Sequence, residues 1–376
     1  MAKPVILFGP LPPPHGGVSV FLNSLRSHLR ESEVRLWALY GDHQEDPQVT
    51  YLNHRRLGVV PALLKEGRTA RIVDLTHFHL EYPNPILLPI WLGAKLMLGF
   101  EWFKYVLDGS LPERFEKFNK KQRVLFRLAI RSIDQFIVVS DELGRWLKNT
   151  IKIKQPITVV PCLLNTPPTN LNPDVPADAH GVLSQFLKYP KRVCSSGVFI
   201  ESYGFQHVIE AVQQLRDELK EDIGLLLLDG EFAADEAYRE RALESREWIS
   251  VLRNVPNSEV YPILKCCDVF VRGFGLESYG ISRVEALWSR VPVIATRAGE
   301  TRGMLTYDFG DIAELHRLLK QVLFNASSPD TAVWAATYRH EADKNLQTLK
   351  ETFGLIGNTE GMSVDSLVGA GANLRT

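Results

Sequence analysis

The chain has 376 residues, 45% of them hydrophobic, enough apolar material for two packed domains rather than one. Its formal net charge of −1 lacks the basic excess of a general nucleic-acid binder, so no nucleic-acid partner is expected. Cys162, Cys194, Cys266 and Cys267 show no metal-ligand spacing and read as reduced thiols of a cytoplasmic protein.

The start MAKPVILFGP is cut short by Pro10, Pro12, Pro13 and Pro14 and does not read as a signal peptide. Pro4 to Phe8 predicts a first strand, and Gly9 to Gly17 a glycine- and proline-rich loop. Val18, Phe21, Leu22, Leu25 and Leu29 then repeat at helical spacing. A strand feeding a glycine turn at a helix start can cradle a phosphate or a sugar, and Gly16-Gly17 can equally be a plain tight turn. It is neither a dinucleotide fingerprint nor a Walker loop. Val34 to Tyr40, Ile72 to His79, Lys95 to Phe100 and Gln135 to Ser140 read as further strands with helices between them. The longest apolar run, Pro85 to Phe100, is broken by Pro89 and Lys95, so no membrane span is expected. Between Trp102 and Arg131 aromatics mix with Lys104, Arg114, Lys117, Lys120, Lys121, Arg123, Arg127 and Arg131. On helices this composition fits a solvated basic face, or a peripheral contact with an anionic membrane at its inner face.

Asn165 to Gly181 has linker composition, dense in proline, asparagine and alanine. The strand–helix alternation then restarts, with a strand from Arg192 to Ser196, Gly197, and a helix from about Gln206 to Leu215. A strand from Leu225 to Leu228 leads into Asp229-Gly230-Glu231. Val269 to Thr296 reads as strand, glycine-marked loop, helix and strand, one βαβ unit. In an open parallel sheet a ligand settles where carboxyl ends of strands meet helix starts, here Glu277-Ser278-Tyr279-Gly280. Gly280 permits a backbone conformation closed to other residues. The open amides of the next helix attract phosphate. Glu285, about one turn inside that helix, can accept hydrogen bonds from the vicinal hydroxyls of a ribose. A carboxylate there can also be ordinary compensation of the helix dipole. Helices follow from Ile312 to Phe324 and through Ala332 to Phe353. The pattern predicts an α/β protein with two Rossmann-like domains.

The Glu277 stretch resembles the E-x7-E signature of retaining glycosyltransferases of family 4 (glycosyl transferases group 1, of the polysaccharide-biosynthesis type), which have the GT-B fold. Glu277, Gly280, Glu285-Ala286 and Pro292-Val293 stand where that family has its two glutamates, its glycine and its closing strand. The run G-P-x-P-P-x-x-G-G-V-S from Gly9 resembles the family's amino-terminal loop. The resemblance implies two Rossmann-like βαβ domains facing each other across a cleft. These would be an acceptor domain 1–165, a linker 166–185, a nucleotide-sugar donor domain 186–330, a helix 331–356 crossing back, and a flexible tail 357–376. It implies metal-independent transfer of a sugar from a UDP- or GDP-sugar to a saccharide or lipid-linked acceptor, with no further cofactor. Carried onto matching positions, it gives Glu277, His79 and Arg272 for the chemistry. Gly16, Gly17, Gly197, Glu231, Ser278, Tyr279, Gly280 and Glu285 would hold the donor.

The chain departs from the family pattern in three places. The arginine and lysine that neutralise the donor diphosphate are here Val198 and Tyr203, leaving Arg272 first, then Arg297 and Arg302, as substitutes. The histidine common one strand after His79 is matched approximately by Glu101. The asparagine-glycine after Pro161 is Cys162-Leu163. These departures keep open a non-catalytic nucleotide-sugar binder. A GT-B sugar epimerase or phosphorylase shares the fold, whereas a nicotinamide dehydrogenase lacks its fingerprint.

Overall fold

A computed structural model describes residues 3–355 apart from 14–15, 30–33, 41–45, 53–57, 165–179, 231–234, 245 and 326. The first half runs β1 (Val5–Gly9), α1 (Gly17–Ser27), β2 (Val34–Ala38), β3 (Val49–Tyr51), α2 (Val59–Glu66), β4 (Arg71–Asp74) and α3 (Leu87–Leu98). It continues with β5 (Glu101–Val106), α4 (Leu111–Glu116), α5 (Lys120–Ser132), β6 (Gln135–Val138), α6 (Asp141–Trp146) and β7 (Ile157–Val159). The second half runs α7 (His180–Phe186), β8 (Lys191–Gly197), α8 (Phe205–Leu219), β9 (Ile223–Asp229), α9 (Glu236–Leu243), β10 (Ile249–Arg253) and α10 (Asn257–Lys265). It closes with β11 (Val269–Arg272), α11 (Ile281–Trp288), β12 (Val293–Thr296), β13 (Leu305–Tyr307), α12 (Ile312–Asn325) and α13 (Thr331–Phe353).

Two parallel sheets result, ordered β3-β2-β1-β4-β5-β6-β7 and β10-β9-β8-β11-β12-β13. Central strands such as β1 (VILFG) and β9 (IGLLLLD) are buried along their whole length, so they read as apolar runs rather than alternating patterns. Successive side chains still part to opposite faces. Leu225 and Leu227 join the core under α8 and α12, while Leu226 and Leu228 join the core shared with the first domain. The strand order reverses between β1 and β4 in one sheet and between β8 and β11 in the other. Those are the crevices where such sheets bind ligands.

Two expected strands are corrected. The strand expected from Ile72 to His79 stops at Asp74, whose Oδ1 accepts from the Thr76 amide (2.8 Å) and hydroxyl (2.7 Å), turning the chain away from the ladder. Lys95 to Phe100 is not a strand but the last turn of α3 and the turn after it. Its short apolar stretch Leu96-Met97-Leu98 does not distinguish strand from helix by period.

The long α13 follows both sheets and reaches back. Asn345 Nδ2 donates to the Leu163 carbonyl at 3.1 Å, and Arg71 Nη1 donates to the Phe353 carbonyl at 2.6 Å. The same helix packs on α11.

Candidate donor site

At the reversal point of the second sheet, β8 ends in Ser196-Gly197 and β11 in Arg272. Arg272 is largely buried, its side chain 12% exposed, and is tied to its neighbours. Its Nε donates to Glu277 Oε2 at 2.7 Å, its Nη1 to the Ser196 carbonyl at 2.6 Å, and its guanidinium lies 5.1 Å from the Tyr203 ring centre. Tyr203 in turn stacks on Phe274, with centroids 4.2 Å apart. Burial works against the charge of Arg272, but the Glu277 carboxylate and the Tyr203 hydroxyl outweigh it and raise its pKa.

Gly280 turns this loop into α11 with φ +89°, and a Cβ there would lie 2.8 Å from Arg283 Cδ and 3.2 Å from Glu277 Cγ. Only glycine meets both demands. No side chain caps α11, which leaves its first amides open to a ligand. Arg283, fully buried beneath that start, donates through Nη1 to the carbonyls of Ala298 and Glu300, and through Nη2 to Thr296 Oγ1. Its Nε has no partner, and burial pulls its pKa down to about 10.

One turn further, Glu285 is 4% exposed and accepts from Asn257 Nδ2 at 2.7 Å. Burial raises its pKa to about 7, against the pull of Asn257 and Arg272. The nearby hydroxyl of Tyr261 is buried without a hydrogen-bond partner. A carboxylate and a phenol with unused capacity, walled by α10 and α11, form a place for a diol.

Residues 184–336 match the family described as glycosyl transferases group 1. The second domain belongs to that family. No curated protein sequence matches the chain. Among solved structures, Anabaena HepE in complex with UDP-glucose is similar at TM-score 0.72 and 17% identity, covering 94% of this chain and 100% of that one. The UDP-forming α,α-trehalose-phosphate synthase of Burkholderia xenovorans, in complex with glucose-6-phosphate, aligns at TM-score 0.67 and 11% identity, covering 94% and 99%. WaaG, a glycosyltransferase involved in lipopolysaccharide biosynthesis, aligns at TM-score 0.65 and 15% identity, covering 96% and 100%. At such identities the likeness establishes the fold, which is GT-B.

The structure gathers Arg272, Glu277, Ser278, Gly280 and Glu285 of the group 1 domain, with Gly197 at the end of β8 beside them. Tyr279 lies in the same loop, but its side chain is buried towards Glu300 and Tyr338, leaving only its backbone for a ligand. Gly16 and Gly17 open α1 at the carboxyl-terminal edge of the first sheet, with the Gly16 amide donating to Ser19 Oγ at 2.9 Å. Glu231 lies outside the described residues.

Three expectations change. His79 is not at the cleft: it is sealed between Trp91 and Trp102, each ring centre 5.1 Å away, and burial lowers its pKa to about 4. A neutral packed imidazole touches no substrate. Glu101 begins β5 rather than ending a strand, and it binds Lys3 (2.6 Å) and Arg71 (2.7 Å) at the opposite edge of the sheet. Arg302 is held by Glu300 and Glu341, both at 2.7 Å, and Arg297 forms an exposed pair with Asp308. Neither stands beside α11's start as Arg272 does.

Sequence reading missed Arg283, the side-chain role of Asn257 beside Glu285, and the loop Asp108-Gly109-Ser110 after β5. Gly109 approaches so closely that a Cβ on it would lie 2.9 Å from Ser278 Cα. Asp108 accepts from the Ser110 amide (2.8 Å) and hydroxyl (2.7 Å) and pairs with Arg114 (3.4 Å). The aspartate-glycine-serine turn after an aromatic apolar run is the signal for that loop. At the junction, Cys162 sits near Glu277, whose charge joins burial in pushing the thiol up to about 12. Among the described residues no group of histidine, cysteine, aspartate and glutamate forms a metal site, and no helix is long and apolar enough to cross a membrane.

Proposed function

We propose that the protein is a retaining, metal-independent glycosyltransferase that moves a sugar from a UDP- or GDP-linked donor to a saccharide or lipid-linked acceptor. The observation that carries this is buried Glu285, paired with Asn257, one turn behind an uncapped helix start flanked by buried Arg283 and part-buried Arg272. Glu285 and Tyr261 take the ribose diol. The amides from Ser278 to the start of α11 take the diphosphate. Arg272 supplies the charge that Val198 and Tyr203 do not, at the point where negative charge grows on the leaving diphosphate. Glu277 holds Arg272 and faces the donor sugar, and the Gly16-Gly17 edge closes over it. The acceptor hydroxyl adds to the anomeric carbon on the face the diphosphate leaves. The glycosidic electron pair goes to the diphosphate, and the hydroxyl proton to a phosphate oxygen.

Calorimetric titration with UDP, GDP, ADP and NAD tests the donor site. One nucleoside diphosphate should bind, and Glu285→Ala should weaken it by about 1–3 kcal/mol, as for a lost hydrogen bond to a charged group. Binding of none, or equal binding by the variant, removes the reading. A second reading, a nucleotide-sugar binder without turnover, is favoured by one observation: Arg272, at the end of β11, is already tied to Glu277. Release of nucleoside diphosphate from the bound donor separates the two.

A further inference from the structure

The moves from β3 to β4, β5 and β6 all step the same way across the first sheet, so right-handed crossovers lay α2, α3 and α5 side by side on one face. The contacts of α3 with both α2 and α5 agree. That row of adjoining helices carries several large apolar side chains in solvent. Leu96 and Met97 on α3 are 87% and 81% exposed, with Leu64 on α2 and Val124 and Leu128 on α5 beside them. Single exposed leucines are normal, whereas a contiguous apolar strip marks a partner.

The charges say which partner. Lys120, Lys121, Arg127 and Arg131 are exposed on α5, with Lys65 and Arg68 at the other flank. Neither α3 (LLPIWLGAKLML) nor α5 (KKQRVLFRLAIRS) contains an acid, and Glu66 of α2 is turned inward to accept from Trp37 Nε1 at 3.1 Å. Asp134 after α5 is exposed but paired with Lys95 of α3, so these apolar side chains are flanked by an excess of cations, which matches the acyl boundary and headgroups of an anionic bilayer. We propose that the α2–α3–α5 face docks the protein in plane on an anionic lipid surface. Leu96 and Met97 lie in the last turn of α3, at the end of the sheet away from the cleft. This surface is separate from the donor site, and its test does not depend on the donor.

The full chain is floated with vesicles of phosphatidylglycerol and phosphatidylcholine in equal parts, and with vesicles of phosphatidylcholine alone. Wild type should float with the anionic vesicles and roughly tenfold less with the neutral ones, with binding falling as salt rises from about 0.1 to 0.5 M. Leu96→Gln with Met97→Gln, and separately Lys120→Glu with Lys121→Glu, should each weaken binding roughly tenfold or more while circular dichroism and nucleotide affinity stay unchanged. The proposal falls if wild type ignores anionic vesicles or if the variants float as wild type does. It falls equally if light scattering shows a dimer that Leu96→Gln with Met97→Gln splits, which would make the face a contact between copies.

Discussion

Gly109 of the first domain and Ser278 of the second meet across the cleft, with room for a hydrogen but not for a methyl group: a Cβ on Gly109 would sit 2.9 Å from the Ser278 Cα. The contact is to backbone, so no rotamer change relieves it. Gly109→Ala must push the Asp108–Ser110 loop away from the donor loop. Turnover should drop roughly tenfold or more, because misplacement of about 1 Å between reacting groups is costly. Affinity for the nucleoside diphosphate that wild type binds, proposed to rest on the second domain, should stay within about twofold. Steady-state rates and calorimetry on the same preparation check this, and unchanged turnover would show that the two loops need not meet.

Glu285 links the site to pH. Its pKa is about 7 in the fold against 4.5 ordinarily, so between those values the unfolded chain has released a proton that the native state retains. Stability from this group is therefore intact below pH 4.5 and declines as pH rises through about 7. Glu285→Gln removes the dependence. Urea unfolding should find the two proteins similar at about pH 5 and the variant more stable by about 2–3 kcal/mol at about pH 8. A pH-independent difference would mean the carboxyl is not held in its acid form.

Arg272→Met strands the Glu277 carboxylate, which is 8% exposed, without its partner. Removing one member of a buried pair costs about 3–5 kcal/mol, and Arg272→Met with Glu277→Gln should recover most of it. If the cation acts on the diphosphate as proposed, the double variant should still lose binding of the nucleoside diphosphate that wild type takes, yet keep affinity for the matching nucleoside. If that diphosphate binds the double variant as it binds wild type, another group neutralises the phosphates.

Lys104, fully buried in the first sheet, sits 3.6 Å from Asp74 and 3.8 Å from Glu81, and its ammonium donates to the Thr76 carbonyl. Burial alone would raise the Glu81 pKa, but Lys104 and His77 reverse it and hold it at about 2. The stabilisation this gives is complete above pH 4.5 and is lost as pH falls through about 2. Lys104→Met should destabilise by about 3–5 kcal/mol at neutral pH. The gap to wild type should narrow towards about pH 3 as the carboxyls of the variant protonate, and a constant gap in acid titration would rule out charge as the cause.

The second domain was legible because its signals are local. The run V-F-V, a glycine loop and a helix with Glu285 on its inner side fall within one βαβ unit, and the structure builds that unit as read. The first domain was less so. His77, His79 and Glu81 look alike to a sequence pattern, yet His79 is walled by Trp91 and Trp102 while Glu81 turns to Lys104. Nothing in the sequence singles out Arg283 on its short helix. Its burial follows from three acceptors brought by Thr296, Ala298 and Glu300, none of which its own neighbours announce.

The helix α13 also bears on the order in which the protein is made. It binds the Leu163 carbonyl through Asn345, receives Arg71 at Phe353, and lies against α11, so it touches both halves and the donor helix together. Both sheets precede it in the chain and can form as it is translated. Until residues 331–353 leave the ribosome, nothing in α13 can hold the halves in register. A nascent chain stalled before Thr331 would carry two folded sheets without the α13 contacts, and the site would be completed as a late step of synthesis.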